Sequence, residues 1–313
     1  MKATATLETV IDQVHQMSVN QYDEIVPVQD MEFDSLNQMW ISGRRVEILP
    51  SAQRLLSNRL RVPFSYLSRC PDHLQKSNLN FWIEKEREQR DTFFCRFDGD
   101  QLRAVFTERY TALDHMEILS AMLGHGFRPD QEVQYSLDHG MMVVKVPHWD
   151  GAFDVAASDR LVPGISFANS EVGVLAFCVE AFFWRLVCSN GMIVSVSAGH
   201  SRFKHISRKA FEHFPETVSQ VIEDSSRRRE QFAISTQTPV QNPVSTIESF
   251  NRRFGLTKDE GEAVVRSWEL EPANTMWAVI NAFTAAAKGP SLTTEAAYRL
   301  EKVGGQVLSL VNH

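Results

Sequence analysis

Cysteine is scarce in this chain and scattered. Cys70, Cys95, Cys178 and Cys188 form no C-x-x-C pair, so neither a zinc ribbon nor a disulfide framework is indicated, and buried free thiols are expected. Long apolar runs are missing as well. The opening MKATATLETVIDQVHQ carries one lysine and then polar residues at helical spacing, unlike a signal peptide or a membrane span, and the expectation is a cytoplasmic protein without membrane contact. Positive charge is in deficit: the net charge is -7 and the pI about 5.8, which excludes a wholly basic surface. A local basic groove remains compatible with that sum, because binding follows the local field.

Catalytic signatures are absent too. There is no G-x-x-x-x-G-K-[ST] loop, no G-x-G-x-x-G, no G-x-S-x-G elbow and no H-E-x-x-H. Cys188 at a turn with His200 or His205, or the carboxylates Asp154, Asp159 and Glu171, would supply reactive groups, but no activating pattern accompanies them. His200 and His205 are spaced i, i+5, which puts them on different sides of a helix, so no metal is expected there. The reading is a binding protein, not an enzyme, with no cofactor.

What the 313 residues do contain is an ordinary globular composition, 43% hydrophobic and 23% charged, in a chain long enough for one large or two smaller domains. After a peripheral helix and an irregular stretch, SAQRLLSNRL, the segment from Pro63 and the Leu79-Trp82-Ile83 stretch read as helices, so 1-90 is mainly helical. Residues 93-97 and 102-110 flank D-G-D as a β-hairpin. A short helix runs from Asp114 to about Leu123. EVQYSL and MMVVKV make a second hairpin. Asn169 to Gly173 reads as a tight turn before a long strand buried on both faces, 174-187, and Asn190-Gly191 as the turn that returns it.

A long helix from about Lys209 to Phe232 and a Pro-containing linker follow, and then three or four helices. The fold class is α+β, with a helical N-terminal region 1-90, an antiparallel hairpin-rich core and following helix 91-234, a linker 235-245 and a helical C-terminal region 246-313.

Two sets of residues are candidates for binding. Arg202, Lys204, Arg208 and Lys209 fall in a stretch with His200 and His205 and no acidic residue, which fits a phosphate backbone or simply a solvated helix entry. Arg96, Arg103, Arg109 and Arg185 are interleaved with Phe93, Phe94, Phe106, Tyr110, Phe177, Phe182, Phe183 and Trp184. That is the pattern of a single-strand platform, where bases stack on rings, and equally that of a strand core filled by aromatics. Arg227, Arg228 and Arg229 form a further basic run, with Glu223, Asp224 and Glu230 available to pair with it.

The stretches LRAVFTERYTALD at 102-114, GISFANSEVG at 164-173 and WRLVCSNGM at 184-192 resemble the signature of a phage- and plasmid-related family labelled as a domain of unknown function. LxNRLRVPxxYL at 56-67, NLNFW at 78-82 and WAVINAFT at 277-284 resemble it too, so the likeness runs from about residue 50 onward. The chain departs from the pattern in having Phe106-Thr107-Glu108 where Leu-Ser-Asp is more usual. The order of elements also resembles that of phage single-strand annealing proteins. That likeness implies single-stranded DNA held between a sheet and helices, and a homo-oligomeric ring or filament. Together these readings give the expectation of a single-stranded DNA-binding and annealing accessory of recombination or replication that hydrolyses no NTP. The alternative is a protein-interaction module that modulates a host or plasmid factor through its acidic surface and the C-terminal helices of 246-313.

Overall fold

The computed structural model describes residues 2–157, 159–186, 190–194, 202–203 and 214–311. It is an α+β protein built on two sheets.

The chain opens with β1 (Lys2–Thr6), and the Thr6 hydroxyl accepts the Thr9 N–H to start helix α1 (Leu7–Ser18). Four short strands follow: β2 (Gln21–Pro27), β3 (Met31–Phe33), β4 (Gln38–Ile41) and β5 (Arg44–Ile48). These were not legible in the sequence, which read as irregular up to about residue 40. Helices α2 (Pro50–Arg59), α3 (Phe64–Leu67) and α4 (Asp72–Arg87) come next, as expected, with Pro50 in the first turn of α2.

The first hairpin, β6 (Thr92–Asp98) and β7 (Gln101–Phe106), turns on Gly99 at φ 54°. Its strands pair with β2 and β5, giving a six-stranded sheet in the order β2-β6-β7-β5-β4-β3, antiparallel except for β5 beside β7. This hairpin therefore belongs with the N-terminal strands, and not with the later core to which a boundary at residue 90 assigned it. Helix α4 covers the β3 edge. Asn80 exchanges two hydrogen bonds with the Phe33 backbone (2.7 and 2.8 Å), and the buried Gln75 amide accepts from Leu36 N and donates to Leu67 O and Cys70 O. Polar side chains on a buried helix face are thus spent on irregular backbone that would otherwise lack partners.

Helix α5 (His115–Gly124) is held at its start by an Asp114–Glu117 capping box. The large sheet follows: β8 (Glu132–Leu137), β9 (Met142–Pro147), β10 (Phe153–Ala156), β11 (Asp159–Asn169), β12 (Phe177–Arg185), β13 (Asn190–Val194) and β14 (Arg202–Phe203). The order β1-β8-β9-β11-β12-β13, with β10 on β11 and β14 on β12, makes eight strands, and β1 returns the chain's first residues to β8 (Lys2 opposite Ser136). Strands β11 and β12 are buried on both faces, as their continuous apolar character required. At Gly164 an added Cβ would meet the Val146 carbonyl oxygen at 2.2 Å, so only glycine fits there.

Asn190-Gly191 is not the centre of a turn. Both residues lie on β13, paired with Arg185 and Trp184. Glycine is needed at 191 for space, because a Cβ would come within 2.9 Å of the Phe182 ring and 3.0 Å of Glu301 Oε1.

The long helix expected to about Phe232 is two, α6 (Phe214–Arg227) and α7 (Arg229–Gln237), and four more close the chain: α8 (Pro243–Arg253), α9 (Lys258–Leu270), α10 (Met276–Ala286) and α11 (Thr294–Ser309). They share one core with the eight-stranded sheet, where Phe183, Phe232 and Trp277 stack edge to face. The six-stranded sheet and α2–α4 enclose a separate core around Phe33, Phe93 and Phe97. Among the described residues no helix is long and apolar enough to cross a membrane.

Candidate nucleic-acid interface

Three of the arginines expected to line a groove do not face solvent. Arg96 and Arg103 on the small sheet are each 4% exposed, and Arg185 on the large one 6%. A buried guanidinium has to be paired. Arg96 Nε donates to Asp23 Oδ1 (2.9 Å), Nη2 to the Asp114 carboxylate and Nη1 to the Glu171 carbonyl (3.3 Å). Arg103 Nη2 donates to Glu171 Oε2 (2.7 Å), and the other oxygen of Glu171 accepts the His115 backbone N–H (2.8 Å). Arg185 forks onto both oxygens of Asp159 (2.8 Å each) and onto Glu271, while Trp277 Nε1 donates to the same Asp159 (2.8 Å).

The Arg96–Arg103–Glu171 cluster sits where the two sheets meet. Burial alone would raise the Glu171 carboxyl. The facing His115 ring once it is protonated in acid, together with the Arg103 guanidinium and the His115 N–H, reverses this and brings it down to about 2. His115 is lowered by its own burial, and its Nδ1 lies 3.0 Å from Asn169 Nδ2. An amide nitrogen only donates, so the imidazole accepts there and is neutral. Two of the signature stretches, 102-114 and 164-173, converge on this cluster through Arg103, Asp114, Asn169 and Glu171. Their chemistry is that of a joint between sheets.

The aromatic candidates divide the same way. Phe93, Phe177, Phe182 and Phe183 are core, Phe106 stacks on Tyr110 (3.8 Å between ring centroids) with Phe94 beside it, and Trp184 packs on Trp149. Arg109 is exposed on the turn after β7. Arg202 lies on β14 opposite Cys178, and nothing further of its side chain is described. Lys204, Arg208 and Lys209 lie outside the described residues, as do Cys188, His200 and His205. Among the described residues no three of His, Cys, Asp and Glu are placed to hold a metal.

A different set of cations is open to solvent. Between the C-terminal end of α2 and helix α4 runs a groove of about 470 Å³, lined by Arg59, Arg61, Lys85 and Arg90 around Trp82, with Glu86 its one carboxylate. Lys85 and Arg90 pair with Glu88 and Glu86, whereas Arg59 and Arg61 are exposed and make no side-chain hydrogen bond or ion pair with the described residues. Trp82 is 42% and its neighbour Phe81 57% exposed, and their rings meet edge to face at 5.2 Å. Arg61 also takes a left-handed backbone, φ 56°, just past the end of α2, where glycine is the usual occupant. The sequence held a signal for this site: from Glu47 to Asp72 the chain has four arginines, 54, 59, 61 and 69, and no acid between. That stretch lacks the strand alternation of arginines and aromatics, because these arginines lie on α2 and on the turns after α2 and α3.

These features define an α+β protein of two sheets joined by a buried ion cluster, with an open basic and aromatic groove on the smaller sheet's helices. The family model described as Domain of unknown function (DUF932) matches residues 103–302, and the chain belongs to that family. No curated protein and no solved structure matches the chain.

Proposed function

We propose that the protein binds single-stranded nucleic acid in the groove between α2 and α4, and serves a phage or plasmid as a strand-annealing accessory of recombination or replication without NTP hydrolysis. The observation that carries this reading is the groove itself. On a chain of net charge -7 it gathers four cations against one carboxylate around an exposed indole. Guanidinium and ammonium groups neutralise phosphates, and an exposed ring stacks on any base, so the recognition is sequence-tolerant. The left-handed Arg61 adds support, since a strained residue that retains a long cation is better explained by what the cation meets than by the turn. Annealing brings two bound strands together, so self-association into a ring or filament belongs to the same proposal.

The test is fluorescence anisotropy of the nuclease-treated protein with labelled single- and double-stranded oligonucleotides at two salt concentrations, with its mass in solution measured alongside. Preferential binding to single strands is expected, with an affinity that falls steeply with salt. The double variant Arg59→Ala/Arg61→Ala is expected to flatten the slope of log K against log salt by about 1.4, roughly 0.7 per phosphate contact on a single strand. A wild-type protein that binds neither form at low salt sinks the proposal and turns attention to protein partners.

A further inference from the structure

A second depression adjoins the groove across α2. Leu55 and Asn58 line both, and beyond them a cleft of about 730 Å³ opens at the junction of the two sheets. Its size is that of a small-molecule site. Leu55, Met141, Val172 and Val174 give it apolar walls. One side, α2, offers the guanidinium of Arg54, whose one described contact is the Phe64 ring at 6.0 Å, and the Asn58 amide, which has no side-chain partner among the described residues. The turn between β8 and β9 and the first turn of α11 supply carboxylates instead, Asp138 and Glu295. Asp138 is ionised. Burial raises its carboxyl, but the N–H groups of Thr294 (2.8 Å), Gly140 (2.9 Å) and Met141 (3.0 Å) reverse this and lower it. Arg103 at the cleft's inner wall is already neutralised by Glu171 (2.7 Å) and adds no free charge.

An apolar slot with a cation on one wall and carboxylates on the other suits a flat ligand that is anionic at one end and bears an amine at the other. We infer that this cleft takes a single nucleotide of the bound strand, its base between the aliphatic walls, its phosphate toward Arg54 and an exocyclic amino group toward Asp138 and Glu295. The inference rests on the groove reading above and adds to it a preference for amino-bearing bases, because a carboxylate accepts from an amino group and repels a keto oxygen.

The experiment titrates the full-length protein with adenosine monophosphate and with thymidine monophosphate by calorimetry, alongside labelled oligo-dA and oligo-dT. Adenosine monophosphate is expected to bind at least about fivefold more tightly than thymidine monophosphate, the low end of discrimination by one good base contact. Val174→Trp, which fills the cleft and leaves the groove, is expected to abolish mononucleotide binding while retaining oligonucleotide binding. Glu295→Gln, an exposed change, is expected to narrow the adenosine preference. Arg59→Ala/Arg61→Ala is expected to do the reverse of Val174→Trp, weakening oligonucleotide binding and its salt dependence while keeping the mononucleotide. Equal affinities for the two mononucleotides, no binding of either, or undiminished binding by Val174→Trp would overturn the cleft assignment. Oligonucleotide binding measured in the same samples shows whether the groove reading stands regardless.

Discussion

The two sheets treat charge in opposite ways. The eight-stranded sheet hides it: Lys145 pairs with Glu301, Glu180 with Lys302 and Tyr298, and Arg185 with Asp159, all under or beside helices. Helix α11 packs on that sheet through two of these ion pairs, Lys145–Glu301 and Glu180–Lys302, and through Tyr298, which joins Val143, Ala168, Cys178 and Ile193 in an apolar cluster. The six-stranded sheet buries the arginines that face its neighbour, and displays Arg54 and Arg59 on α2 and Arg61 just past it, together with Phe81 and Trp82 on α4. Buried ions fix one arrangement of elements, because an unpaired partner is costly. Exposed ions contribute little to stability and are free to meet a ligand. The larger body is thus fixed by buried ions, and the smaller carries the groove proposed to bind.

The sharpest way to break this comparison is at the joint. Glu171→Ala removes the partner of a buried guanidinium and is expected to cost about 3–5 kcal/mol in urea unfolding. Acid should act on the same group more gradually. The Glu171 carboxyl is held near 2 against 4.5 in the unfolded chain, so its stabilisation is complete above about 4.5 and is lost as pH falls through about 2. His115 is lowered from 6.5 and favours the fold only when neutral, so it adds an earlier loss below that value. A urea midpoint unchanged between pH 7 and pH 3 would refute both assignments.

On the displaying side the signs reverse. Arg61→Gly relieves a left-handed backbone and is expected to stabilise by about 1 kcal/mol while weakening oligonucleotide binding. A loss of both, or of neither, would separate strain from function. The smallest effect is expected at Arg128→Ala. Its pair with Asp130 is 72% and 69% exposed, and the change should stay within about 0.5 kcal/mol and leave binding untouched.

Much of the large sheet was legible because its strands are long and their periods clean. EVQYSL and MMVVKV alternate, and 177–185 is apolar on both sides, so hairpin and central strand follow from pattern. Strands β3, β4 and β5 were not legible, being three to five residues each and too short for a period to show, and the meander they form is tied to the rest of its sheet only through β5 beside the distant β7. The site went astray for a related reason. Arginine next to phenylalanine on a strand looks the same in sequence whether the guanidinium faces water or a carboxylate brought in from elsewhere, as Glu171 is brought to Arg103 across 68 residues. Arg59 at the end of α2 and Arg61 just past it were visible as part of an acid-free stretch, but that stretch has no strand alternation to mark it as a platform.

The path of the chain has a consequence for how it folds. Strand β1 pairs with β8 at a separation of more than a hundred residues, and the whole six-stranded unit is made in between, leaving after α1 and returning before α5. The large sheet therefore has to close a loop that already contains a folded unit. Contact order predicts that this closure is late and slow, after the smaller unit has formed from its more local pairs. Residues 21–106, with a core of their own, would then be the early intermediate. Grafted alone, they would be the shortest piece in which to look for the groove without the sheet that steadies it.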